Sequence, residues 1–301
     1  MLFRRMSPEE AYVKAGRIAK EVVERGVKRI EEEAYILEIC EKVEDDIIGF
    51  GGKPAFPCNV SQNEEAAHYT AAPFDKKKIE RGALVKLDIG VHVEGFIADV
   101  AITIGLSKRW DNLVNAARET LKYALMKVEP GLSFSTFGGY VEDKARSLGY
   151  ITIENLAGHR LGPYILHAGE SVPNRRTLTS SSFKVKEAYA IEPFIVELGA
   201  DAVVIGKGKS NIYRLSSFKK IKDKKMGRIV LELWSKYKGL PFASRWIVNE
   251  YGENGLKILD QLVKKGIVHS YPVLVEASNA PVAQFEHTIL IKEDRIIVTT
   301  A

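Results

Sequence analysis

Two short runs, Ala83-Leu84-Val85-Lys86-Leu87-Asp88-Ile89 and Phe96-Ile97-Ala98-Asp99-Val100-Ala101-Ile102, decide how this chain folds. Both are aliphatic and rich in β-branched residues, and a Gly-bounded stretch joins them, which is the pattern of a β-hairpin. A two-residue turn at Val93-Glu94 predicts that Asp88 falls directly opposite Asp99. Alternation then places both on one face of the sheet. Directly opposed Cβ atoms lie about 4.5–5.5 Å apart. Two carboxylates that close repel each other, and a pair of divalent cations about 3.5–4 Å apart would compensate. These two residues alone leave a second reading open, in which the turn has another register and one aspartate points to water.

Upstream of the hairpin the chain reads as two helices. Ser7 can cap the first, Pro8 suits its first position, and Glu10 completes an S-x-x-E capping box. Ala15, Ile18, Val22 and Val23 recur at helical spacing until Gly26 offers a stop. The second helix is expected from about residue 30 to 48, ended by Gly49-Phe50-Gly51-Gly52. Downstream, helices are expected near 110–128 and 136–148, and strands around 151–157, 187–196, 283–292 and 295–300. The order helix, helix, paired strands thus occurs twice, which suggests an internal duplication. Between about 205 and 275 a mainly helical, basic segment interrupts the second copy, with helices at 226–238 and 253–265. It reads as a subdomain (205–275) inserted into a main body made of 1–204 and 276–301.

The composition, 46% hydrophobic and 28% charged over 301 residues, is that of a globular chain able to bury a sizeable core. No apolar run approaches the roughly 18 residues of a membrane span. The run Met1-Leu2-Phe3-Arg4-Arg5-Met6 lacks the apolar core and cleavage site of a signal peptide. Cys40 and Cys58 are the only cysteines, so no disulfide framework is expected and a reducing, cytoplasmic setting is. A formal net charge of +5 does not by itself imply nucleic-acid binding. It is unevenly spread, however: Lys207–Arg228 carries nine Lys/Arg against the single acid Asp223. That stretch reads as a solvated basic face or as a contact surface for a polyanion such as ribosomal RNA.

Three further residues bear on the aspartates. His159 sits in Ala157-Gly158-His159-Arg160-Leu161-Gly162-Pro163, where glycines let the backbone approach a ligand. Glu192, in Ala190-Ile191-Glu192-Pro193, and Glu286, in Gln284-Phe285-Glu286-His287-Thr288-Ile289, are acids embedded in apolar strands. Buried carboxylates are rare unless paired or bound to metal. Four acids and one imidazole suit manganese, cobalt, iron or zinc.

This sequence of Asp, Asp eleven residues later, His, Glu and Glu resembles the ligand set of the methionine aminopeptidase, prolidase and creatinase superfamily. The surrounding text resembles type II methionine aminopeptidases in particular. The matching stretches are Ala55-Phe56-Pro57 to Ala66-Ala67-His68-Tyr69-Thr70, and Gly158 to Tyr164 leading to His167-Ala168-Gly169. The others are Gly239-Leu240-Pro241-Phe242 to Arg245-Trp246, and Ala283 to Leu290. The lack of a long N-terminal extension is similar to archaeal members and unlike prolidases, which carry an additional N-terminal domain.

The resemblance implies an α+β, pita-bread fold: two pseudo-symmetric halves around a curved antiparallel sheet, with a helical insertion typical of type II. It implies a site with two divalent metal ions. Asp88 would hold one, His159 and Glu192 the other, and Asp99 and Glu286 would bridge them, with a water or hydroxide between the metals as nucleophile. Glu192 is a candidate for handling its proton. His167 resembles the histidine that hydrogen-bonds the scissile amide or carbonyl, and His68 the one near the substrate amine. Phe56, Leu166, Pro241 and Tyr271 match pocket-lining positions for the methionine side chain. The implied activity is removal of the initiator methionine from nascent proteins, by a monomer with no membrane partner. The alternatives are prolidase or X-Pro aminopeptidase activity, or a ribosome- or nucleic-acid-binding role of the kind found in relatives that have lost ligands.

Overall fold

The structure, a computed structural model, describes residues 6–216 and 223–301. Met1–Arg5 of the N-terminal run and residues 217–222 of the basic stretch lie outside the described residues.

Helix α1 (Pro8–Val27) starts on the expected capping box: Ser7 Oγ accepts from the Glu10 amide, and the Glu10 carboxylate accepts from the Ser7 amide at 2.7 Å. Its face of Ala15, Ile18, Ala19 and Val22 packs with Ile39, Val43 and Ile47 of α2 (Ile36–Gly49) in one apolar cluster with the hairpin. Helix α2 begins at Ile36, not near residue 30. The chain before it bonds elsewhere: Glu33 and Ile36 donate to the carbonyls of Ile79 and Lys77, and Ile79 donates to Ala34. Those bonds compete with a helical turn.

The hairpin strands Leu84–Val93 and Phe96–Gly105 pair along their whole length, but one step out of the expected register. Val93 pairs with Phe96, Gly90 with Asp99, and Asp88 with Ala101. The turn is therefore Glu94-Gly95, with φ of 52° and 95°, the two positive values that a type I′ turn requires. Glycine claims the second turn position and Val93 stays in the strand. Asp88 and Asp99 are diagonal neighbours rather than directly opposed, and they still share a face. A strand missed in the sequence, Lys53–Gln62, pairs with Leu84–Val93 through two register irregularities and places Asn59 against Asp88.

The second half repeats the plan. Helices α3 (Asp111–Lys127) and α4 (Phe134–Ser147) cover a sheet that includes Ala157–Leu161, Ala188–Ile191 and His287–Ile291. The two halves meet along a seam. The Glu286 amide donates to the Ala101 carbonyl at 3.0 Å. One step to one side, Thr288 Oγ1 accepts from the Asp99 amide and donates to the Asp99 carbonyl (2.7 and 2.9 Å). One step to the other, Thr103 Oγ1 does the same for Gln284 (2.8 and 2.6 Å). Hydroxyls thus replace direct backbone bonds where the sheet splays, satisfying groups that would otherwise be buried unpaired. The result is the curved, two-halved α+β sheet that the resemblance implies.

Segment 205–275 is less purely helical than expected. Strands Val204–Leu215 and Val268–Glu276 form an antiparallel ribbon at its base. Above it stand α5 (Lys224–Tyr237), α6 (Ser244–Tyr251) and α7 (Asn254–Lys264). These share their own apolar cluster, with Leu233, Phe242, Ile247, Leu259 and Leu262 at its centre. A buried ion pair between Arg245 of α6 and Glu44 of α2 fastens the segment to the first half. No helix of the described residues is long and apolar enough to cross a membrane.

Candidate active site

One cavity of about 260 Å³ is lined by Asp88, Asp99, His159, Glu192, Glu286, His68, His167, Phe56, Leu166, Pro241 and Tyr271. All the site residues singled out in the sequence therefore meet in one place. Each arrives on its own piece of framework. Asp88 and Asp99 come from the hairpin and His159 from the Ala157–Leu161 strand. Glu192 sits where Pro193 separates the strands Ala188–Ile191 and Phe194–Glu197, and Glu286 sits on the seam. A proline cannot donate to a sheet ladder, so the chain turns out of the sheet just where Glu192 must point inward. Segment 205–275 contributes Pro241 and Tyr271, and His68, with a φ of 66°, directly follows the short strand Glu65–Ala67, which pairs with Val268–Glu276.

Ligand atoms of Asp99, His159 and Glu286 lie within 4.8 Å of one another. His159 Nε2 is 3.7 Å from Asp99 Oδ2 and 3.5 Å from Glu192 Oε1. Two amides steady the acids. Asn59 Nδ2 donates to Asp88 Oδ2 at 3.2 Å, and Gln284 Nε2 donates to both Glu192 (3.2 Å) and Glu286 (3.1 Å). Neither amide was foreseen. Gln284 stands two residues before Glu286, the same-face offset in a strand, and that spacing was the available signal.

The electrostatics are those of crowded acids. Burial, opposed by the Asn59 hydrogen bond, pushes the Asp88 carboxyl up to about 7. Burial raises Asp99, Glu192 and Glu286 well above the usual carboxylate range, and the negative charges of their neighbours add to it. His159 is driven well below its ordinary value by burial and then by His167, whose ring lies 4.3 Å away. His68 falls to about 4 through burial. At the cavity mouth, desolvation followed by the charges of His68 and Arg214 lowers His167 to about 4. Both histidines are therefore neutral at pH 7. His92, His269 and His287 lie outside the cavity lining; His287 Nδ1 instead shares a hydrogen bond with Thr300 at 2.8 Å.

A divalent cation fits these groups. Asp88 Oδ1, Asp99 Oδ1 and Glu286 Oε1 are buried with no hydrogen-bond partner, an arrangement that costs free energy unless something compensates, and His159 turns its Nε2 toward them. Carboxylate oxygens and an imidazole nitrogen are the donors that manganese, iron, cobalt and zinc accept. Acids facing one another across a small cavity, where the two halves of the sheet meet, define a candidate centre for divalent cations.

The particular kind follows from its relatives. Residues 10–293 match the family described as metallopeptidase family M24, and the chain belongs to that family. It is 40% identical over 297 residues to a methionine aminopeptidase of Thermococcus onnurineus, covering 98% of this chain and 100% of that relative. It is 39% identical to one of Saccharolobus solfataricus, over 95% of each chain. Among solved structures it is similar to a thermophilic Arx1 (TM-score 0.83, 18% identity, 98% of this chain and 91% of that one). A Thermotoga maritima methionine aminopeptidase also matches (TM-score 0.70, 22% identity, 99% and 98%). These two structures share the pita-bread fold with this chain.

Proposed function

We propose that this chain is a methionine aminopeptidase that removes the initiator methionine from nascent proteins in the cytoplasm. The observation that carries the reading is the convergence of five candidate ligands, two neutral histidines and four apolar side chains on one cavity. Near-full-length similarity to relatives called methionine aminopeptidases supports it. Asp88 would hold one divalent ion, His159 and Glu192 a second, and Asp99 and Glu286 would lie between them. The ions, when bound, would polarise the scissile carbonyl and lower the pKa of water.

The protein's own groups would do the rest. Phe56, Leu166, Pro241 and Tyr271 would enclose the methionine side chain and hold the first peptide bond in place. His68, being neutral, can accept a hydrogen bond from the substrate amine. His167 can donate an N–H to the carbonyl oxygen as negative charge develops there. Glu192 can take the proton from water and pass it to the departing amine as the C–N bond breaks. His167→Ala is accordingly expected to lower kcat for a Met-Ala-Ser peptide about a hundredfold or more, with KM changed much less. A matching fall in kcat for any buried-core control substitution would remove the case for this role.

Metal affinity should rise with pH. The Asp88 carboxyl of the metal-free protein, raised to about 7, holds a proton below that value and must release it to bind a cation. Titration calorimetry of manganese at pH 6 and pH 8 should show tighter binding at pH 8. At pH 6 the observed heat should depend on buffer ionisation, which reports proton release. Equal affinity at both pH values would count against Asp88 as a ligand.

Release of methionine from Met-Ala-Ser by metal-loaded protein, lost in Asp88→Ala, tests the assignment. Turnover of X-Pro peptides without turnover of Met-Ala peptides would favour the prolidase reading instead. We further propose that the chain acts as a monomer and that 205–275 is a subdomain inserted into 1–204 and 276–301; its separate apolar cluster supports the division. The basic stretch Lys207–Arg228 supports a ribosome contact, which binding that weakens steeply with salt would test.

A further inference from the structure

Arg214 stands two residues beyond Ile212 on the Val204–Leu215 strand and so on the same face. It pairs with His269 as Ile212 pairs with Tyr271. Ile212 and Tyr271 line the cavity; Arg214 and His269, just outside that lining, form the next rung on the same face, with His269 exposed to solvent. The Arg214 Cζ lies 6.0 Å from the centre of the Tyr271 ring. His269 meets that ring edge-on at 4.8 Å, and His68 meets it from the cavity side at 5.7 Å.

Among the described residues, other buried and part-buried arginines are matched with acids. Arg29 pairs with Asp46 at 2.7 Å, Arg160 with Glu170 and Glu187 at 3.1 Å each, and Arg245 with Glu44. Among the described residues no carboxylate pairs with Arg214, and its Nε is buried without a hydrogen-bond partner. The run Ser217–Lys222 that follows contains no acid. A guanidinium held against an aromatic face with donors to spare is suited to a carboxylate. The cavity behind it is smaller than the roughly 300–1,000 Å³ that enclose a drug-sized ligand. It can take the first residues of a peptide, which leaves the third at the mouth.

We infer that Arg214, flanked by Tyr271 and His269, is a specificity-determining residue that binds a carboxylate on the third residue of the peptide substrate. This rests on the aminopeptidase reading and adds a preference to it. The interaction forms equally in the bound substrate and the transition state, so it acts on KM more than on kcat.

The test uses full-length protein loaded with manganese and the peptides Met-Ala-Glu-Ser and Met-Ala-Gln-Ser, both amidated at the C-terminus. The wild type should favour Glu over Gln about tenfold in kcat/KM, chiefly through KM. Arg214→Met should bring that ratio near one, and Arg214→Glu should shift the preference to Met-Ala-Lys-Ser, which a purely structural role would not do. Comparing Met-Ala-Ser as free acid and as amide separates a side-chain carboxylate from a terminal one; a preference only for the free acid overturns the third-residue assignment. The same peptides, dye-labelled at the C-terminus, are also bound to metal-free protein and read by fluorescence anisotropy. A ratio unchanged in Arg214→Met, or turnover with no Glu preference in the wild type, overturns the inference and leaves the aminopeptidase reading intact. A Glu preference in binding with no turnover of any peptide keeps the carboxylate site and sinks the activity; the absence of both overturns both.

Discussion

Asp99→Asn is expected to lower methionine release by about a thousandfold or more, corresponding to roughly 4 kcal/mol of lost transition-state stabilisation. Asp99 lies at the centre of the candidate ligands, with Asp88 diagonal to it, His159 at 3.7 Å and Glu286 across the seam. Its backbone bonds to Thr288 do not involve the side chain, so asparagine keeps the seam and removes the charge. In the metal-free protein the same change should be stabilising. Burial, and then the Asp88 charge, hold the Asp99 carboxyl well above its usual range. The folded state therefore prefers the protonated form. The cost of ionisation is absent in acid and grows as pH rises through the folded value. At pH 8, metal-free Asp99→Asn should melt above the wild type, and excess manganese should reverse the order. A variant that melts lower with and without metal would show that Asp99 serves the fold and not a cation.

Arg245→Ala should cost about 3–5 kcal/mol of stability, because it leaves a buried carboxylate without its partner. Arg245 is 2% exposed and Glu44 6%. Besides Glu44, the guanidinium donates to Thr70 Oγ1 at 2.7 Å and to the Ala71 carbonyl at 3.1 Å. Glu44 also accepts from the Trp246 indole (2.7 Å) and the Cys58 amide (2.9 Å). Burial pushes the Glu44 carboxyl up, while Arg245 draws it back down. Urea unfolding of Arg245→Ala, Glu44→Gln and the double variant would measure the pair. The double variant should be markedly more stable than the sum of the singles predicts; strict additivity would show that the two side chains act independently.

Much of this was legible in residues. The capping box at Ser7 and Glu10 fixed the start of α1, and acids inside apolar runs marked Glu192 and Glu286, although each stands between strands rather than within one. The hairpin was read correctly in kind but one step off in register, because a Gly-bounded turn does not say which position the glycine takes. The strand Lys53–Gln62 stayed hidden because Pro54 and Pro57 argue against a ladder. It survives as an edge strand with irregular pairing, the setting in which proline is tolerated. The ribbon of Val204–Leu215 and Val268–Glu276 joins residues far apart in sequence, beyond the reach of local pattern. Asn59 and Gln284 were overlooked since an amide beside an acid has no periodicity of its own.

The candidate ligands are scattered: no two are nearer in sequence than Asp88 and Asp99, eleven residues apart, and the set runs on to Glu286. A folding chain must therefore close its longest loops and join both halves at the seam before a cation meets more than two of them. An ion held by this set would not serve as a nucleus for folding. It would act after assembly, slowing the loss of the finished structure rather than hastening its formation. Metal occupancy would thus be a certificate of completed folding, and a chain stalled part-way would have no active centre with which to cut anything.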